Sequence, residues 1–121
     1  MSAPLAGKVA LVTGASRGIG RAIATKLAAG GCDIAANYYN SHDEAEALCA
    51  TLRASGRRAQ PFQGSVGLPD SVGEMFAAIA TYFDRIDIVV SNAASGVLKP
   101  AMAMSLKHWR WCLETNAFAL A

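Results

Sequence analysis

Three glycines, Gly14, Gly18 and Gly20, follow a short apolar run and enclose an arginine, Arg17. A glycine turn that opens a helix presents free backbone N–H groups and the positive end of the helix dipole, which together attract a phosphate or pyrophosphate. Glycine is needed there wherever φ is positive, or wherever a Cβ would block the ligand or a neighbouring strand. The spacing is G-x-x-x-G-x-G, which differs from the G-x-G-x-x-G dinucleotide fingerprint. A P-loop is excluded, because Arg21-Ala22 follows the last glycine where Lys-Ser/Thr would be required. Placement between a first strand and a first helix makes phosphate binding the expectation. A tight strand-to-helix connection without a ligand is the alternative.

The end of the second strand bears on which nucleotide would bind. An NAD site usually carries Asp or Glu there for the ribose 2′-OH. This chain has Asn37-Tyr38-Tyr39-Asn40-Ser41, with no acid. Arg17 lies in the turn itself, where a guanidinium can pair with a 2′-phosphate. Together these favour NADP(H) over NAD(H), against the plainer reading of Arg17 as a solvated loop residue.

The elements that must position these residues alternate along the chain. "KVALVT" (8–13) predicts a strand buried on both faces. A helix follows from Gly18 to about Ala29, with Ile19, Ile23 and Leu27 as its apolar stripe and Gly30-Gly31 as its stop. "DIAANY" (33–38) predicts a second strand. Ser41 with Glu44 forms a capping box for a helix whose buried stripe is Ala45, Leu48, Cys49 and Leu52, ended by Gly56. "RAQPFQG" (58–64) predicts a third strand near an edge, because it contains Pro61. Pro69 starts a helix with Val72, Met75, Phe76, Ile79 and Phe83 on one side, and "IDIVVSN" (86–92) predicts a fourth strand. Ser105 caps a last helix carrying Leu106, Trp109, Leu113 and Ala117. Strands alternating with helices predict an α/β fold, a parallel sheet with helices on both faces.

Composition narrows the class. At 121 residues, 53% hydrophobic and 17% charged, the chain predicts one well-buried globular domain and excludes a disordered one. The net charge of +2 comes from scattered residues, so no basic run points to nucleic acid. No apolar stretch is long enough for a membrane span, and a cytoplasmic location is expected. Cys32, Cys49 and Cys112 form no CxxC or Cys/His pattern. No metal site is therefore expected, and the thiols read as packing.

The motifs together resemble the short-chain dehydrogenase/reductase family. "TGASRGIG" (13–20) looks like its TGxxxGxG motif, "SNAA" (91–94) stands where it has NNAG, and "TNA" (115–117) falls where it carries its active-site Asn. The resemblance spans essentially the whole chain and implies a Rossmann-type doubly wound sheet. "NAASGVLKPAM" followed by "HWRW" resembles the NADPH-dependent enoyl-[acyl-carrier-protein] reductase III branch, with 3-oxoacyl-[acyl-carrier-protein] reductase the closest competitor. By this resemblance Gly14, Ser16, Arg17, Gly18, Ile19 and Gly20 wrap the adenosine and pyrophosphate of NADPH. Ser65 and Val66 flank the adenine, and Asn92, Ala93 and Ala94 line the cofactor. Asn116 holds a water of a proton relay. The parent would be a homo-oligomeric reductase acting on an acyl thioester or similar small substrate.

The chain departs from the family pattern at several places. Ser65 stands where Asp or Asn is usual, Ser91 and Ala94 replace the outer residues of NNAG, and no basic residue follows the second strand. Arg17 would then carry the 2′-phosphate nearly alone, helped by Ser41 or His42. The family's Tyr-x-x-x-Lys pair is also missing: the residues four beyond Tyr38, Tyr39 and Tyr82 are His42, Asp43 and Ile86. The chemistry needs that Tyr as proton donor and the Lys to lower its pKa. The expectation is a nucleotide-binding domain over 1–121 that is cut short at its C-terminal end, inactive alone, and prone to unfold or associate through an open fourth strand. A non-catalytic nucleotide-binding module is the other reading.

Overall fold

The computed structural model describes residues 4–65 and 67–92. Its elements are β1 (Val9–Val12), α1 (Gly18–Ala29), β2 (Asp33–Tyr38), α2 (His42–Ala54), β3 (Ala59–Gln63), α3 (Pro69–Phe83) and β4 (Ile88–Val90). The strands form one parallel sheet in the order β3-β2-β1-β4. Each parallel neighbour is reached through a helix, as parallel pairing requires. The predicted α/β Rossmann-type sheet is present. The expected last helix, and with it Asn116, lies outside the described residues, as do Val66, Ala93 and Ala94.

Alternation along the strands divides the core between two faces. Ala10 and Val12 of β1, Ile34 and Ala36 of β2, and Ala59 of β3 pack against Ala24 and Ala28 of α1 and Leu48, Cys49 and Leu52 of α2. Val9, Leu11 and Ala35 point the other way, onto Met75, Ile79 and Phe83 of α3. This two-sided burial explains why β1 reads as an unbroken apolar run. β3 lies at one end of the sheet, as Pro61 predicted. β4 lies at the other end among the described strands, and its Val89 is 51% exposed.

Two local expectations are corrected. The buried face of α1 is Gly20, Ala24 and Ala28, with Ile23 and Leu27 at its flanks, whereas Ile19 is 73% exposed. Small residues let the helix axis lie close to the sheet, and the large side chains are turned to the margins. Ser41 makes no capping bond. Its backbone (φ −108°, ψ 56°) lies outside the extended region usual for a cap, and its hydroxyl donates to the Asn40 Oδ1 at 3.5 Å. Asp43 and Glu44 in the first turn of α2 instead supply negative charge at its N-terminus.

Cys32 and Cys49 are buried, and burial raises both thiol pKa values, that of Cys49 to about 11. Protonated buried thiols are inert, consistent with packing. Among the described residues no cluster of His, Cys, Asp or Glu could hold a metal, and no helix is long and apolar enough to cross a membrane.

Candidate nucleotide-binding site

The carboxyl ends of β1, β2 and β4 converge on the turn between β1 and α1. In an open parallel sheet this edge is where ligands bind, because the helices that follow the strands point their N-termini there. Gly14 and Gly18 both have φ of +62°, a left-handed conformation that glycine adopts without strain. A Cβ on Gly18 would meet nothing within 4 Å, so the turn is open outward at that point. A Cβ on Gly20 would lie 2.5 Å from Asn92 Nδ2 and closer still to the Gly14 carbonyl oxygen. Gly18 and Gly20 thus serve different ends. The first shapes the turn, and the second lets α1 close onto it.

The turn is held from both sides. On the β4 side, Asn92 donates its backbone N–H to Thr13 Oγ1 at 2.8 Å. Its Nδ2 reaches the carbonyls of Thr13 at 3.2 Å and Gly14 at 3.3 Å. The Thr13 hydroxyl donates in turn to the Val90 carbonyl at 3.3 Å. On the β2 side, Asn37 accepts the Gly14 N–H at its Oδ1 (3.2 Å) and the Ala15 N–H at its carbonyl (2.9 Å). Asn37 is 2% exposed and its Nδ2 points to the carbonyls of Tyr38, Phe62 and Gly64. The Gly14 and Ala15 amides are therefore turned inward. The amides of the first turn of α1 have no carbonyl of their own helix to bond and stay available to a ligand.

The predicted residues fall around this turn to different extents. Ser16 is buried beside it, Arg17 stands at the α1 N-cap and is exposed, and Ile19 projects outward. The Arg17 guanidinium meets no acceptor among the described residues. Ser65 is buried at the end of β3, where its N–H bonds Ser71 Oγ at 2.8 Å. Asn92 is bound into the turn's backbone, which makes it a brace of the site. A separate groove of about 460 Å³ runs along α1 past Arg21, Ala22, Thr25, Lys26 and Ala29. It shares only Gly18 with the expected site. The structural weight of Asn37 was not anticipated; its signal was a lone amide after the apolar Ile34-Ala35-Ala36 of "DIAANY".

A strand, a G-x-x-x-G-x-G turn and a braced helix start are thus in place, and the family model for short chain dehydrogenases matches residues 8–121. The chain belongs to the short-chain dehydrogenase family. It is 41% identical over 111 residues to 3-oxoacyl-[acyl-carrier-protein] reductase FabG of Staphylococcus epidermidis, covering 90% of this chain and 45% of that protein. Tetrahydroxynaphthalene reductase of Pyricularia oryzae is 44% identical over 97 residues, 80% of this chain and 34% of that one. Among solved structures, a short-chain dehydrogenase from Burkholderia cenocepacia in complex with NADP superposes with a TM-score of 0.91 at 39% identity. That match covers 97% of this chain and 48% of the other. A blue fluorescent protein from a metagenomic library, in complex with NADPH, gives 0.90 at 37% identity, covering 96% and 48%. The chain spans between about a third and a half of the length of these proteins.

Proposed function

We propose that this chain is the nucleotide-binding part of an NADP(H)-dependent short-chain reductase. The observation that carries the proposal is the turn itself. Its outward opening at Gly18, the unused amides at the start of α1 and the exposed Arg17 fit a dinucleotide phosphate backbone. The absence of an acid across Asn37–Ser41, at the end of β2, fits NADP(H) rather than NAD(H). When bound, the nicotinamide supplies a hydride. The residues of this chain do the holding. Amides from Gly18 to Gly20 face the pyrophosphate, Ser16 and Ile19 border it, and Arg17 pairs with the 2′-phosphate. Ser65 and Val66 would flank the adenine, Asn92, Ala93 and Ala94 the path toward the nicotinamide, and Asn116 a relay water.

For the substrate, the FabG relatives favour a 3-oxoacyl thioester carried on acyl carrier protein over the enoyl thioester suggested by "NAASGVLKPAM" and "HWRW". This reading goes with a cytoplasmic homo-oligomer in fatty acid biosynthesis. The purified full-length protein should oxidise NADPH with acetoacetyl thioester, and do so faster than with crotonyl thioester or with NADH. Turnover of crotonyl thioester alone would restore the enoyl reading. Absence of NADPH binding would overturn the nucleotide reading altogether.

A further inference from the structure

We propose that Asn37 is a positioning residue for the nucleotide turn: from within the core its carboxamide fixes the Gly14 peptide, so cofactor affinity depends on it. The inference rests on the nucleotide reading above for its consequence, though not for its geometry.

Both acceptors of Asn37 go to consecutive amides of the turn, the side-chain oxygen to Gly14 and the main-chain carbonyl to Ala15. Gly14 is one of the two left-handed residues on which the turn's shape depends. The other end of the amide faces four acceptors. Nδ2 lies 3.1 Å from the Gly64 carbonyl, 3.3 Å from that of Phe62, 3.4 Å from that of Tyr38, and 3.1 Å from the Met75 Sδ. Gly64 immediately precedes Ser65, and Met75 belongs to α3. One side chain therefore ties the glycine turn to the end of β3 and to the helix behind it. The β1–α1 turn and the start of the β3–α3 loop are both expected to border the nucleotide, and Asn37 sets the distance between them.

The residue type follows from these partners. Only a neutral amide offers an acceptor on one side and two N–H donors on the other. A carboxylate would keep the acceptor for Gly14 but direct its second oxygen at three carbonyls, at a buried position where solvent screens the repulsion little. An apolar side chain would leave the Gly64 carbonyl and the Gly14 N–H short of partners. Packing alone therefore excludes an acid at position 37.

The test uses the full-length protein with Asn37→Ala, Asn37→Asp and a control, Leu48→Ala. The control lies on α2 and opens the core without removing a hydrogen bond to the Gly14 peptide. NADPH dissociation constants are read by nicotinamide fluorescence well below every melting transition. Exchange of the Gly14 amide is read by NMR without cofactor. Losing one buried hydrogen bond corresponds to about a fivefold loss of affinity. Asn37→Ala and Asn37→Asp should therefore raise the dissociation constant by about that factor or more, while Leu48→Ala lowers the melting temperature and leaves it unchanged. The Gly14 amide should exchange slowly in the unmodified protein and faster in Asn37→Ala. Unaltered NADPH affinity in both Asn37 variants overturns the proposal, and so does an equal loss in Leu48→Ala. Fast Gly14 exchange in the unmodified protein overturns it even if no variant folds. Slow exchange that Asn37→Ala accelerates, without NADPH binding in the unmodified protein, would support the positioning role and refute the nucleotide reading.

Discussion

Replacing Gly20 by alanine tests whether close packing of α1 on the turn is what the last glycine provides. The added Cβ would come 2.5 Å from Asn92 Nδ2 and 2.9 Å from the Gly14 carbonyl carbon. Carbon contacts relax near 3.5 Å, and moving Asn92 alone leaves the clash with the Gly14 carbonyl, so the start of α1 must lift by about an ångström and Asn92 must give way with it. Overpacking of this kind costs about 1–3 kcal/mol. Displacing Asn92 also breaks its bonds to the Thr13 and Gly14 carbonyls, at about 1 kcal/mol. Alanine recovers about 1 kcal/mol over glycine in a helix. The net loss is then about 1–3 kcal/mol, a fall in the urea midpoint of roughly 0.5–1.5 M. Gly73 of α3 provides the internal control, because a Cβ there meets nothing within 4 Å. Gly73→Ala should raise stability by up to about 1 kcal/mol of helix propensity, and the midpoint with it. Urea unfolding of both variants decides the matter. If Gly20→Ala unfolds at or above the midpoint of the unmodified protein, the close-packing argument is wrong.

Other consequences follow from single contacts. The Asp87 carboxylate binds Arg85 and accepts the Val9 N–H at 2.8 Å, and these contacts, the Arg85 bond first, hold its pKa below the ordinary 3.8. A lowered folded pKa gives stability that is present above pH 3.8 and lost as the pH falls toward the folded value. Asp87→Asn should flatten the fall in urea midpoint between pH 5 and pH 3; an unchanged slope would refute this. Arg17→Ala should weaken NADPH binding about tenfold or more, as expected for a charge-assisted bond, with little effect on NADH. Equal losses for the two cofactors would remove Arg17 from the 2′-phosphate. Cys49, with its pKa near 11, should resist alkylation at pH 7.5 until the protein is unfolded, as peptide mapping would show. Rapid labelling of the native protein would contradict its burial.

The sequence by itself determined the order of elements, the parallel sheet and the place of the glycine turn. These depend on local signals: apolar runs, helical stripes, Pro69 at a helix start, and the G-x-x-x-G-x-G spacing. Even the edge position of β3 followed from Pro61, because a missing N–H is a property of one residue. Tertiary structure decided what each side chain touches. Ile19 belongs to a helical stripe by spacing, yet it faces outward, because the closeness of α1 to the sheet leaves room only for Gly20, Ala24 and Ala28. Ser41 has the residue type of a cap but not the backbone angles. Asn37 reads in sequence only as a strand end without an acid. Its partners come from positions 14, 62, 64 and 75, and only the folded sheet brings those groups within reach of one amide.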